Sequence, residues 1–230
     1  MTDPSAPTPT GSKKWLVFLI VAVLSLLADQ ATKIWARDSL PVVRVDGGTA
    51  ACIVPDDLVS RALPADQARA DRPAVRRPGC QGHPVAVVDS YWDWRLSMNP
   101  GSAFGLFSSQ NGARIGLSVV GVVAVLGMLW MLRKARSDQK ILHWALALVA
   151  GGAVGNLIDR MYFGVVTDFI LWRYKTHEWP VFNVADIVLV IGVGLMFIDI
   201  QKESRREKRL KAGHQDKAKA AGLIRNFPGV

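Results

Sequence analysis

The chain has 230 residues, half of them apolar, and carries 28 Lys and Arg against 19 Asp and Glu for a formal net charge of +9. The apolar half is clumped into long runs, which excludes an ordinary soluble core and points to membrane spans. The lysines sit at the edges of those runs, so the positive charge fits anionic lipid headgroups and argues against nucleic acid as a partner.

Residues 1–12, MTDPSAPTPTGS, are rich in Pro, Ser and Thr and lack apolar surface to bury, so residues 1–14 are expected to form a disordered tail that ends at the membrane edge marked by Lys13 and Lys14. The first span is expected over about 15–36: Trp15 to Ala28 is uncharged, and the helical pattern continues through DQATKIWA to reach the length a bilayer needs. A basic start before a short apolar stretch also fits a cleaved signal peptide, but no small-x-small cleavage site closes this one. A long segment follows, with an insert at about 44–89 that is rich in Arg and Pro.

The second span, about 114–132, has no charged residue between Ile115 and Leu132, and Trp130 stands near its end where interfacial aromatics collect. Arg133, Lys134, Arg136 and Lys140 follow at once. A third span is expected at about 141–160 and a fourth at about 181–200, with a basic tail over 201–230. Placing the Lys-bearing edges in the cytoplasm puts both termini inside, a long outer segment at about 37–113 and a short outer loop at about 160–182. The arginines of the long segment oppose this orientation, although long loops cross largely regardless of charge. That segment has no Lys and holds both cysteines of the chain, Cys52 and Cys80. An oxidising compartment would permit a bridge between them, and two free thiols fit the sequence equally well.

Ionisable groups in or beside apolar spans are costly, so each is a functional candidate. Asp29 and Lys33 stand four apart on one helix face, the spacing of a local ion pair. In LSMNPGSAFGLF, residues 96–107, Asn99, Gly101, Ala103 and Gly105 fit either a turn or a close approach of backbone to a ligand. In GGAVGNLIDR, residues 151–160, the glycines suit tight helix packing, while Asn156 and Asp159, three apart, share a face. Asp168 in VVTDFI and Asp186 in FNVADI are each flanked by apolar residues near the outer face. Aspartates there are ordinary helix caps. Brought together, they would share a proton, so that one activates water while the other protonates a carbonyl. No zinc motif, Ser/Lys pair or phosphate loop competes with that chemistry.

Five blocks, DQATK at 29–33, NPGSAFG at 99–105, GGAVGNLIDR at 151–160, VVTDF at 165–169 and FNVAD at 182–186, resemble in order and spacing the signature blocks of the lipoprotein signal peptidase family, also called signal peptidase II, over about residues 15–200. The resemblance implies an aspartic endopeptidase of the bacterial cytoplasmic membrane, without cofactor or metal, that cleaves prolipoproteins just before a diacylglyceryl-modified cysteine. It implies Asp168 and Asp186 as the catalytic dyad, and Asp29, Lys33, Asn99, Gly101, Asn156, Asp159, Arg160 and Asn183 as groups that support the site or position the substrate. The expected partners are the prolipoproteins and membrane phospholipids, and the expected state is a monomer. The expected fold is mainly α, a four-helix transmembrane bundle with a small extracytoplasmic β-containing segment between the first and second spans. Short strands are expected within residues 40–108, because backbone exposed at headgroup depth needs its hydrogen bonds satisfied. Asp159 rivals Asp168 as the partner of Asp186, but Arg160 and Asn156 beside it suit a charged scaffold. Asp168 has apolar neighbours and no adjacent cation in the sequence. The insert at about 44–89 and the polar amino-terminal tail depart from the family pattern. A non-enzymatic reading, a small transporter or assembly factor whose aspartates line an ion path, is separated from a peptidase by whether a signal peptide is released.

Overall fold

A computed structural model describes residues 11–42, 53–54, 75–76, 79–101 and 110–220. Four helices dominate: α1 (Gly11–Ser39), α2 (Gln110–Lys134), α3 (Lys140–Tyr162) and α4 (Val184–Ala220). Each contains a stretch long and apolar enough to cross a bilayer. Helix α3 is the central one, packed against the other three and the most buried of the four. Lipid tails are as apolar as leucine, so helices associate in a membrane by close packing rather than by hydrophobic exclusion, and small residues let them do so. Gly151 faces the backbone of Ala22 in α1, Gly152 the carbonyl of Ala185 in α4, and Gly192 of α4 the side chain of Val149. At the end of the bundle bearing Lys13 and Lys14, Phe18, Val21, Leu132, Leu142 and Leu146 close a core.

Residues 11–14, expected in the disordered tail, belong to helix α1. Nothing in Gly11 to Lys14 breaks a helix, and the Lys14 ammonium donates to the carbonyls of Arg133 (3.2 Å) and Ala135 (2.7 Å), acceptors left open where α2 ends. Residues 1–10 of that tail lie outside the described residues. The basic segment after residue 200 continues α4 as far as Ala220.

The expected small sheet is present and draws on two parts of the chain. Strands β3 (Val85–Val88), β4 (Trp92–Asn99), β5 (Val166–Tyr174) and β6 (His177–Glu178) form one antiparallel sheet in that order, and β1 (Ile53–Val54) pairs separately with β2 (Val75–Arg76). Strands form within residues 40–108 as expected, and β5 and β6 join them from the connection between α3 and α4, read from sequence as an outer loop. The run Val165 to Trp172 is rich in β-branched and aromatic residues, and β4 supplies the partner that completes its hydrogen bonds. Val165, Phe169, Leu96 and Met98 pack with Ala36 and Leu40, which seats the sheet on the end of α1. Most of the insert at about 44–89 lies outside the described residues, as does Cys52. The sequence left open whether the two are bridged; Cys80 is disulfide-bonded and packs against the cluster beneath the sheet.

Candidate active site

Pairing of β4 with β5 sets Ser97 opposite Asp168 and Asn99 opposite Val166. Asn99 and Asp168 are thus diagonal neighbours, within side-chain reach across the ladder. The Asn99 amide donates to Asp168 Oδ2 at 2.9 Å, while its own Oδ1 accepts the backbone N–H of Gly101 at 2.8 Å. That second bond fixes which end of the Asn99 amide faces the carboxylate. Gly101 has φ of +82°, and a Cβ there would collide with Leu117, so no other residue type fits this turn without strain.

Asp186 lies in the first turn of α4, in a capping box with Asn183. Asn183 N–H donates to Asp186 Oδ2 at 3.1 Å, and Asp186 N–H donates to Asn183 Oδ1 at 3.0 Å. With its oxygen so committed, Asn183 turns its amide N–H groups outward, to Asp168 Oδ1 at 2.6 Å and to Asn156 Oδ1 at 3.1 Å. One residue therefore reaches both carboxylates, Asp168 through its side-chain amide and Asp186 through its backbone N–H. Asn156 completes the ring. Its oxygen also accepts from Lys33 Nζ at 2.8 Å, which leaves its amide nitrogen to donate to Asp186 Oδ1 at 3.0 Å. Lys33 is donor-only, so its position decides the orientation of Asn156.

Lys33 and Asp29 are both 0% exposed and 2.8 Å apart, with Asp159 Oδ2 at 3.7 Å from the same ammonium. Asp29 Oδ1 accepts the N–H of Ala185 at 2.9 Å, joining α1 to the start of α4. Gly155 lies against the Asp29 carboxylate, so the glycine admits the ion pair as well as the helix. Asp159 Oδ2 accepts the N–H of Thr167 at 2.8 Å, which anchors the residue preceding Asp168.

The expected neighbours of Asp159 make no hydrogen bond or ion pair with its carboxylate. Arg160 stays within electrostatic reach of Asp159 but donates its hydrogen bond to the Asn156 carbonyl at 3.3 Å, and the Asn156 side chain is engaged with Lys33, Asn183 and Asp186. Successive residues on a helix diverge by about 100°, so adjacency in sequence misled here. The charges facing Asp159 are Lys33 and Arg37, the latter 3.7 Å from Oδ1. Arg37 also donates to Thr167 Oγ1 at 3.0 Å and stacks on Phe163. Sequence reasoning missed Arg37 and Thr167. The repeat of Asp29, Lys33 and Arg37 at four-residue spacing was the available signal for Arg37. Asp168 has no adjacent cation in the sequence, but the fold brings Arg160 within electrostatic reach of both Asp168 and Asp186.

Asp168 is 2% exposed. Burial, reinforced by the charge of Asp186, pushes its carboxyl up to about 7 against the two amide hydrogen bonds that favour the anion. Such a carboxyl holds a proton near neutral pH. Among the described residues no group of three or more His, Cys, Asp and Glu side chains is arranged to hold a metal ion.

Four apolar helices, a small sheet on one end and paired carboxylates where sheet and helices meet define a polytopic membrane protein with a buried acidic site. The model for Signal peptidase (SPase) II matches residues 21–202, and the chain belongs to that family. It is thus a peptidase, a hydrolase, and a multi-pass protein of bacterial membranes. The lipoprotein signal peptidase of Geobacter metallireducens is 33% identical over 193 residues, covering 84% of this chain and 95% of that protein. That of Xylella fastidiosa strain 9a5c is 30% identical over 209 residues, covering 89% and 98%. A solved structure of a bacterial membrane enzyme shares the fold, with a TM-score of 0.53 at 22% identity over 81% of this chain and 88% of the other.

Proposed function

We propose that this chain is an aspartic endopeptidase that removes the signal peptide of prolipoproteins immediately before the diacylglyceryl-modified cysteine, with Asp168 and Asp186 as its dyad. The observation that carries the reading is that Asn183 bonds to both carboxylates at once, beside a carboxyl raised to about 7. In the resting pair the shared proton sits on Asp168. Asp186 takes a proton from water as the oxygen attacks the scissile carbonyl carbon, and Asp168 passes its proton to the carbonyl oxygen. Collapse of the tetrahedral intermediate breaks the C–N bond, the leaving amine takes the proton held by Asp186, and Asp168 recovers its own. Asn99, Asn156 and Asn183 hold the carboxylates, and Asp29, Lys33 and Asp159 brace those amides and the strand that carries Asp168.

A diacylglyceryl anchor holds the scissile bond at headgroup depth, and the dyad sits at that depth because Asp186 is in the first turn of a span and Asp168 in the strand against it. The reading places both termini in the cytoplasm, the dyad near the outer face, phospholipid around the bundle and a monomer as the working unit. The test is release of signal peptide from a diacylglyceryl-modified prolipoprotein by purified full-length protein, followed by gel shift. Asp168→Asn and Asp186→Asn each bind that substrate and release nothing; cleavage by either variant removes that residue from the dyad.

A further inference from the structure

At the end of the bundle opposite the dyad, a cleft of about 1050 Å³ opens between the start of α3 and the last part of α4. Its floor is apolar, built from Ile141, Phe197 and Ile198. Phe197 and Ile198 are 62% and 52% exposed on a membrane-spanning helix, so the floor continues into the surface that lipid tails cover. Its rim is basic: Lys140 from α3 and Lys202, Arg205 and Arg209 from α4. The last three recur at intervals of three and four residues and share one helix face.

Three acidic residues, Asp138, Asp199 and Glu203, also border the cleft, and two of them, Asp138 and Glu203, are already met by arginines. Asp138 is paired with Arg136 at 3.0 Å and with Arg206 at 2.6 Å. Glu203 is paired with Arg136 at 2.9 Å, and Asp199 accepts from Gln139 at 3.2 Å. Lys140, Lys202, Arg205 and Arg209 make no ion pair with another described residue, and all four are exposed. The internal pairing thus leaves four positive charges against one carboxylate, Asp199, a surplus of three over an apolar floor. Depth agrees with this division. Lys202 lies about 27 Å and Arg209 about 38 Å along the helix axis from Val184, at ~1.5 Å per residue. These distances bracket the edge of a hydrocarbon core about 30 Å thick, so the rim falls in the headgroup layer and the floor just inside it.

We infer that this cleft binds one anionic diacyl phospholipid, its phosphate held by Lys140, Lys202, Arg205 and Arg209 and an acyl chain laid along Ile141, Phe197 and Ile198. A soluble acidic partner would use the rim and leave the floor unfilled, whereas a two-part ligand, anionic head and apolar tail, matches both halves. The site shares no residue with the dyad network, and it stands or falls apart from the peptidase reading.

The experiment is native mass spectrometry of the delipidated full-length chain titrated with phosphatidylglycerol, and in parallel with phosphatidylcholine of the same acyl chains. The parent protein retains the anionic lipid at least about tenfold more tightly. Each rim cation contributes about fivefold, so Lys202→Gln, Arg205→Gln and Arg209→Gln combined weaken retention on the order of a hundredfold, and Lys202→Gln alone about fivefold. Signal-peptide release by these variants, measured in the same preparation, stays within about twofold of the parent and reports that they are folded. Equal retention of the two lipids, or equal retention of phosphatidylglycerol by parent and variants, overturns the inference. Displacement of the lipid by glycerol phosphate at matched concentration would make the cleft a soluble-phosphate site, and displacement by polyglutamate would make it a dock for an acidic polypeptide; either result also overturns it.

Discussion

Neutralising Asp168 and neutralising Asp159 should move stability in opposite directions. Raising the folded carboxyl of Asp168 from 3.8 to about 7 means that burial disfavours its ionised form. For such a group stability is lost as pH rises from the unfolded value through the folded one, and at pH 8 the cost approaches about 4 kcal/mol, three units at ~1.36 kcal/mol each. Asp168→Asn removes that cost. Its new amide nitrogen cannot accept the bond that Asn99 or Asn183 donates, which gives back about 1 kcal/mol. The net expectation at pH 8 is a variant more stable than the parent by about 2 to 3 kcal/mol, with the difference shrinking as pH falls toward 4, and with no turnover. Asp159→Asn instead removes a fully buried charge that faces Lys33 and Arg37. Breaking a buried pair costs about 3 to 5 kcal/mol, and because Asn still accepts the Thr167 N–H the lower end applies. The assay is thermal unfolding of each purified variant at pH 5 and pH 8, with turnover normalised to folded protein. An Asp168→Asn protein less stable than the parent at pH 8, or a stable but inactive Asp159→Asn protein, would refute the reasoning and transfer the catalytic role to Asp159.

Turnover of the parent should decline above pH of about 7 as the proton on Asp168 is lost, by up to about tenfold per unit, and a flat profile from pH 6 to 9 would contradict a shared proton. Gly155→Ala puts a methyl group against the Asp29 carboxylate, so the yield of folded protein should fall, by about 1 to 3 kcal/mol in stability; unfolding curves that overlay the parent's would show that the helices part freely there. A cysteine placed at Ser12 or Ser204 should resist a membrane-impermeant thiol reagent in intact cells, and labelling at either site reverses the proposed orientation. A bridge between Cys52 and Cys80 would stabilise by about 2 to 4 kcal/mol, so reductant should lower the unfolding temperature, and mass spectrometry without reductant should find no free thiol in membrane-extracted protein.

The sequence by itself determined the four spans, because apolar runs of bilayer length with basic edges have few other physical uses. It also marked the costly polar groups, Asp29, Lys33, Asn156, Asp159, Asp168 and Asp186, since ionisable and amide side chains do not persist among apolar residues without a function or a partner, while Asn183 came only from the family resemblance. Local spacing sufficed for the pair Asp29 and Lys33, one helical turn apart. It failed for Asp159, whose partners Lys33, Arg37 and Thr167 come from another helix and from a strand rather than from the adjacent Arg160. Strand β5 was hidden for a related reason: a short apolar run between two spans becomes a strand only if another strand supplies its hydrogen bonds, and that partner, β4, lies about 70 residues earlier in the chain. The meeting of Asp168 with Asp186 through Asn183 was likewise decided by tertiary structure alone, because it depends on β5 docking against the first turn of α4 and on amide orientations that Lys33 and a capping box impose from different elements.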